Sequence, residues 1–286
     1  MLSFITISFL KLLSFLPLSV LYCISYPLSC LGSILFTKDK EIISLHSEKI
    51  LKSPLSTQKI YQNLVLNLFD IIKTRTVIKK SNFRDLENFK NKLSDKSAIL
   101  ISAHIGNWEM IPSLCKDQGI EIYSAAKRHN KKKYQNVIDY LRAKSNSKAI
   151  YKNDPNSNRE IIKRVKEKSI VASVIDQDTE VTSIDSNFFN KKCVSPTSLI
   201  NISLKKEIPC YAIFLIRNKL FDYQLYIKEI TIIGNKPKDV TDQYNTFLES
   251  VIKKHPNQWV WFHKRWRTQN GRKLRTVDYI KWLKSL

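Results

Sequence analysis

Glycine is scarce in this 286-residue chain, which has five glycines and neither a G-x-G-x-x-G nor a G-x-x-x-x-G-K-[ST] pattern. Those patterns build the backbone cradles of dinucleotide-binding and nucleoside-triphosphate-binding enzymes, so the sequence supports neither class. The five cysteines are scattered, and none forms a C-x-x-C pair. We therefore expect no disulfide framework and no zinc site, and a reducing compartment suits the chain.

Acidic residues are also few, because 25 Asp and Glu stand against 48 Lys and Arg, for a formal charge of +23. With 43% hydrophobic residues the chain can still bury a core, which excludes a disordered polycation. Its length suits one catalytic domain with an appendage, or at most two small domains. The charge predicts an anionic partner: nucleic acid, an acidic membrane face, an acidic carrier protein or a phosphorylated substrate.

Charge is nearly absent from residues 1–36, where Lys11 is the only charged residue. About 20 apolar residues cross a bilayer as a helix, so we expect a membrane anchor here. Pro17 and Pro27 can kink it or divide it into two helices. A buried helix and a signal peptide are the alternatives, although no basic region precedes the apolar run. Lys and Arg crowd behind this segment, so the positive-inside rule places residues 37–286 in the cytoplasm, held at a membrane.

Beyond the anchor, short apolar runs alternate with segments of helical periodicity. The expected strands lie at residues 98–103, 120–124, 149–151, 170–175, 210–216 and 223–233. The expected helices lie at residues 55–74, 108–116, 131–144, 158–168 and 242–254, with a further helix beginning at Pro196. This alternation predicts a single α/β domain around a largely parallel or mixed sheet flanked by helices, whose site forms at the carboxyl ends of the strands.

A histidine motif follows the first expected strand. The segment from Ser102 to Glu109 carries His104 at the strand end, and Gly106 allows a tight turn after it. A histidine that acts as a general base needs a carboxylate to fix its tautomer and to stabilise the imidazolium, and Glu109 is five positions away. The motif predicts a base with its orienting acid; a structural histidine beside an unrelated glutamate is the alternative.

Two more polar clusters follow expected strands. Lys127-Arg128-His129-Asn130 offers guanidinium and ammonium donors for a phosphate or carboxylate, or is a solvated basic loop. Asp176-Gln-Asp178 could orient a base, position a sugar hydroxyl or bind a cation, or it is a polar turn. Strand ends of a parallel sheet meet at one edge, so we expect all three clusters in one crevice.

Two segments are rich in aromatic residues. Phe188-Phe189-Asn190, with Thr197 beyond it, fits an apolar wall followed by a helix start. The segment from Trp259 to Arg267 alternates aromatic and cationic residues, which fits a membrane-interface belt or a stacking platform for nucleic acid. We expect instead a strand of the sheet, because the order Val-Trp-Phe-His alternates.

The motif His104-Ile-Gly-Asn107-Trp-Glu109 resembles the H-x-x-x-x-[DE] motif of membrane glycerolipid and lysophospholipid acyltransferases. Its longer form resembles the secondary acyltransferases of lipid A biosynthesis, which include the lauroyl and myristoyl transferases. Those enzymes also carry an Arg, an Asp-x-Asp, a Phe-Phe-Gly segment and a Thr, in that order. The matching residues here are Arg128, Asp176, Asp178, Phe188, Phe189 and Thr197, with Asn190 in place of the Gly. The ending PNQWVWFHKRW at residues 256–266 is similar to the family's ending, so the resemblance covers nearly the whole chain.

This resemblance implies a glycerol-3-phosphate acyltransferase-like fold and a late step of lipid A acylation. An acyl chain would pass from an acyl carrier protein thioester to a hydroxyl of a Kdo-bearing lipid A precursor, without an acyl-enzyme. His104 would deprotonate the hydroxyl while Glu109 holds the imidazole. Arg128 would stabilise negative charge or grip a lipid phosphate, and Asp176 and Asp178 would order the site.

The resemblance also implies the binding residues and partners. The expected substrate-binding residues are Asn107, Asn130, Phe188, Phe189 and Thr197. No metal or organic cofactor is required. The anionic acceptor, the acidic carrier protein and anionic inner-membrane lipids suit the positive charge, and we expect no nucleic acid. The alternatives are an acyltransferase with another membrane lipid as acceptor, such as a lysophospholipid or a glycolipid, and a membrane-tethered binder of anionic ligands without turnover.

Overall fold

The computed structural model describes residues 2–93, 96–179, 181–232, 234 and 236–286. The helices are α1 (Leu2–Leu13), α2 (Leu18–Leu35), α3 (Thr37–His46), α4 (Thr57–Ile72), α5 (Thr74–Lys80), α6 (Leu86–Leu93), α7 (Ile111–Asp117), α8 (Lys132–Lys144), α9 (Ser157–Lys166), α10 (Ser198–Lys206), α11 (Pro237–Lys254) and α12 (Thr276–Lys284). The strands are β1 (Asn82–Arg84), β2 (Ala98–Ser102), β3 (Ile122–Ala126), β4 (Lys148–Tyr151), β5 (Ile170–Val174), β6 (Ser183–Phe188), β7 (Lys191–Pro196), β8 (Cys210–Lys219), β9 (Asp222–Ile230), β10 (Thr268–Gln269) and β11 (Arg272–Lys273). Short turns of 3₁₀ helix lie at Trp108–Met110 and Pro256–Gln258, and a π-helical turn lies at Ser47–Leu51.

A seven-stranded sheet in the order β1-β9-β8-β2-β5-β3-β4 forms the centre of the protein. Strands β8 and β9 are antiparallel, and the other neighbours in this sheet are parallel. The expected α/β fold with a largely parallel sheet flanked by helices is therefore confirmed.

The central strands are apolar on both faces because helices cover both. All five residues of β2 are buried. Side chains alternate along a strand, so Ile99 and Ile101 face the core beneath α10 and α11, whereas Leu100 faces the core beneath α4 and α7. Continuous apolar runs thus located the interior strands correctly, although residue 233 of the expected last strand lies outside the described residues.

The apolar segment at the N-terminus forms two helices, with Pro17 directly before α2 and Pro27 inside it. By length and composition α2 can cross a membrane, and only 22% of it is buried, unlike the core helix of a soluble protein. The side that is buried, through Leu21 and Ser25, packs against α4. These features suggest membrane attachment.

Two expectations about local structure need correction. Pro196 ends β7, and the helix begins two residues later at Ser198. The segment from Trp259 to Arg267 is not a strand: Trp259 forms a single bridge with Ile105, and the chain then continues through turns. The β6–β7 hairpin and α12 were not anticipated.

Candidate functional site

The parallel register of β2 and β5 brings together the two groups at the centre of the site. Ser102 and Val174, the last residues of these strands, are partners in the register. His104 and Asp176 each follow two residues later, and the imidazole Nδ1 lies 2.7 Å from Asp176 Oδ1. The backbone N–H of His104 donates to Asp176 Oδ2 at 2.9 Å, so one carboxylate holds both the ring and its backbone.

Asp176 is a buried carboxylate with several donors around it. Trp259 Nε1 donates to its Oδ2 at 2.8 Å. Burial opposes its charge, but the His104 imidazole and these hydrogen bonds outweigh burial and lower the pKa of Asp176 to about 2. An ionised carboxylate can only accept, so Nδ1 of His104 donates to it, and in the neutral ring the lone pair is then on Nε2. This is the tautomer that a general base requires.

Glu109 does not hold the imidazole, which corrects the expected pairing. It lies on the 3₁₀ turn beyond Gly106, and among the described residues it has no hydrogen-bond partner. The backbone N–H of Asn107 donates to the carbonyl oxygen of Leu215, and the ring of Trp108 packs against His104 with centroids 5.1 Å apart. Glu109 nevertheless lines the same cavity as His104, where it can meet a substrate.

The turn after His104 depends on glycine and on a buried asparagine. Gly106 has φ +58°, and a Cβ there would lie 2.0 Å from the carbonyl oxygen of Leu215. Asn107 is fully buried, and its Nδ2 donates to Asp70 Oδ2 at 2.8 Å. Asn67 Nδ2 donates to the carbonyl oxygen of Gly106 at 2.5 Å. Asn107 thus holds the turn in place from behind and is not in the cavity wall, contrary to the expected substrate contact.

Asp70 is the hub of this buried network. It forms a buried ion pair with Arg217 and accepts from the hydroxyl of Tyr223 at 2.6 Å. It also accepts from the hydroxyl of Tyr22 on α2 at 2.5 Å. The apolar N-terminal segment and the turn that carries the site are therefore joined through one carboxylate.

His104 and Glu109 open onto a cavity of about 500 Å³ on the α7 side of the sheet. Small side chains of four strand positions leave this space free: Ser102, Ser124, Ala126 and Ala172. Residues Ile111 and Pro112 of α7 and Ile213 of β8 make much of the wall apolar. A cavity with this much apolar wall beside a histidine can accommodate an apolar ligand.

Four cations line this cavity: Lys127, Arg142, Lys152 and Arg267. Lys152 Nζ donates to Ser173 Oγ at 2.8 Å, and burial lowers the pKa of Lys152 to about 8. Arg128 is not part of the described cavity wall. Its guanidinium lies over the ring of Tyr151, at 4.0 Å, and 3.5 Å from Asp154.

The other expected site residues lie outside the cavity wall. Asn130 is exposed on the loop before α8. Asp178 is buried, accepts from the backbone N–H of Thr268 at 2.9 Å and lies 3.7 Å from Arg267 Nε. Thr197 is buried just before α10, where its backbone N–H donates to the carbonyl oxygen of residue 182.

Phe188 and Phe189 support the site from behind. Phe188 packs against Trp259, the donor to Asp176, with ring centroids 5.6 Å apart. Phe189 and Asn190 form the two-residue turn of the β6–β7 hairpin, with φ of 49° and 56°. Asparagine tolerates this left-handed conformation, so Asn190 can stand where the resemblance has glycine.

Two residues near His104 carried no assigned role in the sequence. Gln177 Nε2 lies 3.2 Å from His104 Nε2 and 2.5 Å from His263 Nε2. Burial and the neighbouring His104 lower the pKa of His263 to about 4, so that ring is neutral at pH 7. The signal for Gln177 was its place between the two aspartates; nothing in the sequence brings residue 263 to residue 104.

Comparison with protein families matches the chain to one family. The model of the bacterial lipid A biosynthesis acyltransferases covers residues 49–268, well over half of the chain. This range contains β2, β5 and every residue described around the cavity. Comparison with curated proteins gives no match.

Proposed function

Because the chain belongs to the bacterial lipid A biosynthesis acyltransferase family, and is thus an acyltransferase with a lipid A precursor as acceptor, we propose that its donor is an acyl carrier protein thioester. We further propose that the acceptor carries Kdo and that the step is a late acylation. The observation that carries this proposal is the His104–Asp176 pair at the head of an apolar cavity.

The chemistry begins with the lone pair on His104 Nε2. It takes the proton of the acceptor hydroxyl, and Asp176 stabilises the imidazolium that forms. The hydroxyl oxygen attacks the thioester carbonyl carbon, and the tetrahedral intermediate then collapses with cleavage of the C–S bond. The imidazolium returns its proton to the departing thiolate, so the ester and the free thiol form while the enzyme regains its starting state.

The apolar wall of the cavity and its cations bind different parts of the substrates. The apolar wall around Ala126 and Ala172 holds the acyl chain. Lys127 and Lys152 bind the phosphates or carboxylates of the acceptor, and the net charge of +23 attracts the acidic carrier protein. Glu109 contacts the acceptor within the cavity, and Arg128, at the end of β3, remains a proposed phosphate contact at its rim.

The other residues of the family motifs position the segments around the site. Asp178 positions the segment that carries Arg267, and Thr197 fixes the start of α10. Phe188 packs against Trp259, the donor to Asp176, and Phe189 packs against the neighbouring Trp261.

We propose that residues 1–36 anchor residues 37–286 to the cytoplasmic face of the inner membrane. Large apolar side chains on α1, on α2 and beside them are exposed: Phe4, Ile5, Phe9, Leu12, Phe15, Tyr26, Leu28, Leu31, Ile34, Leu35 and Phe36. A soluble protein rarely exposes so much contiguous apolar surface, and anionic lipids would attract the basic residues that follow.

Product mass tests the proposal. The detergent-extracted full chain is mixed with acyl carrier protein thioesters and a Kdo-bearing tetraacylated precursor. We expect a gain of one acyl group that His104→Ala abolishes. His129→Ala is the matched control, because His129 is an exposed histidine outside the cavity wall.

Other results would contradict parts of the proposal. Acylation of a lysophospholipid or another glycolipid, and not of the Kdo-bearing precursor, would contradict the proposed acceptor. Binding of the precursor with no product from any thioester would favour a binder of anionic ligands. Full activity of the His104→Ala variant would contradict the assignment of His104 as the general base.

A further inference from the structure

Gln177 touches the nitrogen that must react. Its amide Nε2 lies 3.2 Å from Nε2 and 3.0 Å from Nδ1 of His104. The same amide lies 2.5 Å from Nε2 of His263, whose ring is 5.4 Å from that of His104 between centroids. Gln177 follows Asp176 directly, so its backbone is fixed by the strand end that also positions the orienting carboxylate.

The hydrogen positions follow from the carboxylate. Nδ1 of His104 donates to Asp176, so Nε2 of His104 can only accept. The Gln177 amide nitrogen lies at nearly equal distances from both ring nitrogens, so it sits over the ring face and leaves the in-plane Nε2 lone pair open to an acceptor hydroxyl. His263 is neutral, and its Nε2 accepts one amide hydrogen. The –NH₂ group of Gln177 thus lies between two imidazoles, with its other hydrogen available.

This arrangement places the amide where the acceptor hydroxyl must bind. When the hydroxyl donates to His104 Nε2 along its lone pair, Gln177 remains beside the attacking oxygen. The hydroxyl oxygen forms a bond to the thioester carbonyl carbon. The carbonyl oxygen, bonded to the same carbon, gains negative charge during the attack. A neutral amide donor held beside that oxygen stabilises the charge without a change in protonation.

The cations are placed less well for this task. Arg128 lies over Tyr151 and outside the described cavity wall. Lys152 donates to the hydroxyl of Ser173 in β5. Gln177, by contrast, already contacts the reacting nitrogen.

We infer that Gln177 is a catalytic residue that donates its amide hydrogen to the oxyanion of the thioester carbonyl, and that His263 is the positioning residue that holds the other amide hydrogen. This inference rests on the proposed acyl transfer. No additional bond forms or breaks: the proton still moves from the acceptor hydroxyl through His104 to the thiolate.

Steady-state kinetics on the full chain tests this assignment first. We expect Gln177→Ala to lower kcat by about 10²- to 10³-fold, the usual loss for one oxyanion donor, while KM for both substrates stays within a few-fold. Gln177→Glu should do no better, because an ionised carboxylate cannot donate. His263→Ala should cost less, and His263→Gln, whose amide oxygen can accept, should recover part of the loss. Gln118→Ala is the matched control, since it removes the same side chain at a position outside the described cavity wall, where the Gln118 amide donates to Asp117.

Binding of two donor analogues separates oxyanion stabilisation from positioning of His104. An acyl phosphonate mimics the tetrahedral oxyanion, and an unreactive thioether mimics the ground state. Gln177→Ala should weaken binding of the phosphonate by about the same factor by which it lowers kcat/KM, and it should leave the affinity for the thioether unchanged. Unchanged phosphonate affinity with a lower kcat would overturn the oxyanion role, as would a kcat within a few-fold of wild type.

These results are distinguishable from failure of the proposed function. A wild-type enzyme that binds the thioether but makes no product removes the proposed acceptor alone, and the analogue pair still decides the role of Gln177 because it needs no acceptor. Thermal unfolding checks each variant, and the near-isosteric Gln177→Glu replaces Gln177→Ala if the latter does not fold.

Discussion

His104 and Asp176 occupy equivalent positions, each two residues beyond the end of neighbouring parallel strands, and Nδ1 and Oδ1 lie 2.7 Å apart. Asp176→Asn should preserve this geometry but lose the charge and the tautomer that it selects. We expect kcat to fall by roughly 10³- to 10⁴-fold with little change in thermal stability. Asp178→Asn is the matched control, since an amide oxygen can still accept from Thr268, and we expect less than a tenfold loss. Equal effects of the two changes would contradict the assigned partner.

Gly106 should not tolerate a side chain. In Gly106→Ala, the new Cβ meets the carbonyl oxygen of Leu215 at 2.0 Å, so the turn must move. Gly119→Ala is the control for backbone conformation, because Gly119 also has positive φ but open space around it. Thermal unfolding should show a loss of about 1–2 kcal/mol for Gly119→Ala and a clearly larger loss for Gly106→Ala. Similar losses would mean that the contact with Leu215 is relieved cheaply.

The small side chains of the cavity should set acyl-chain length. Ala172→Leu adds bulk to the wall between β2 and β3, so we expect the preferred thioester to become shorter while short chains are still transferred. Competition between acyl carrier protein thioesters of different lengths, with product masses, measures the shift. An unchanged chain-length profile in a folded variant would place the acyl chain elsewhere.

Lys152 gives the site a dependence on alkaline pH. Burial lowers the pKa of Lys152 to about 8, so its ammonium loses charge as pH rises through that value. If it binds an anionic group of the substrate, KM for that substrate should rise above pH 8. Lys152→Arg keeps its charge, and the rise should disappear. The same pH profile in both proteins would exclude Lys152 as the cause.

His46 should make the fold sensitive to acid. Burial lowers the pKa of His46 to about 4, from an ordinary 6.5, and its Nε2 accepts from the hydroxyl of Tyr279 at 2.9 Å. The unfolded chain therefore takes up this proton first as pH falls from 6.5 to 4. The stability that the neutral ring contributes at pH 7 is lost across that range, on the order of 3 kcal/mol. His46→Gln should be less stable at pH 7 but flatter between pH 6.5 and 4; an unchanged slope in thermal unfolding would assign the effect to other groups such as His263.

Continuous apolar runs identify β2, β5 and β8 from sequence because both faces of these strands are buried. The β6–β7 hairpin gives no such signal, since two of its buried positions are Ser186 and Ser195, which bond to each other. Alternation misled at Trp259 and Trp261, because both rings are buried by an irregular chain that follows a single bridge.

Part of the site was likewise predictable from the sequence, and part was not. Convergence of strand ends predicted that the histidine and aspartate clusters would meet. It could not predict that Asp176 would outcompete Glu109 for the imidazole, since that depends on the register of β2 with β5. Asn107 was expected to contact the substrate because it belongs to the histidine motif. Its buried hydrogen bond to Asp70 accounts for an asparagine at this position without any substrate contact.

The hydrogen bond from Tyr22 to Asp70 bears on any attempt to obtain a soluble enzyme by trimming residues 1–36. Trimming would remove a donor from the carboxylate that also holds Asn107, and would uncover the face of α4 beneath Leu21. A trimmed protein could therefore lose activity even toward substrates dispersed in detergent, where reaching a membrane is irrelevant. Tyr22→Phe in the full chain isolates this contribution, because it removes the hydroxyl and leaves the anchor intact.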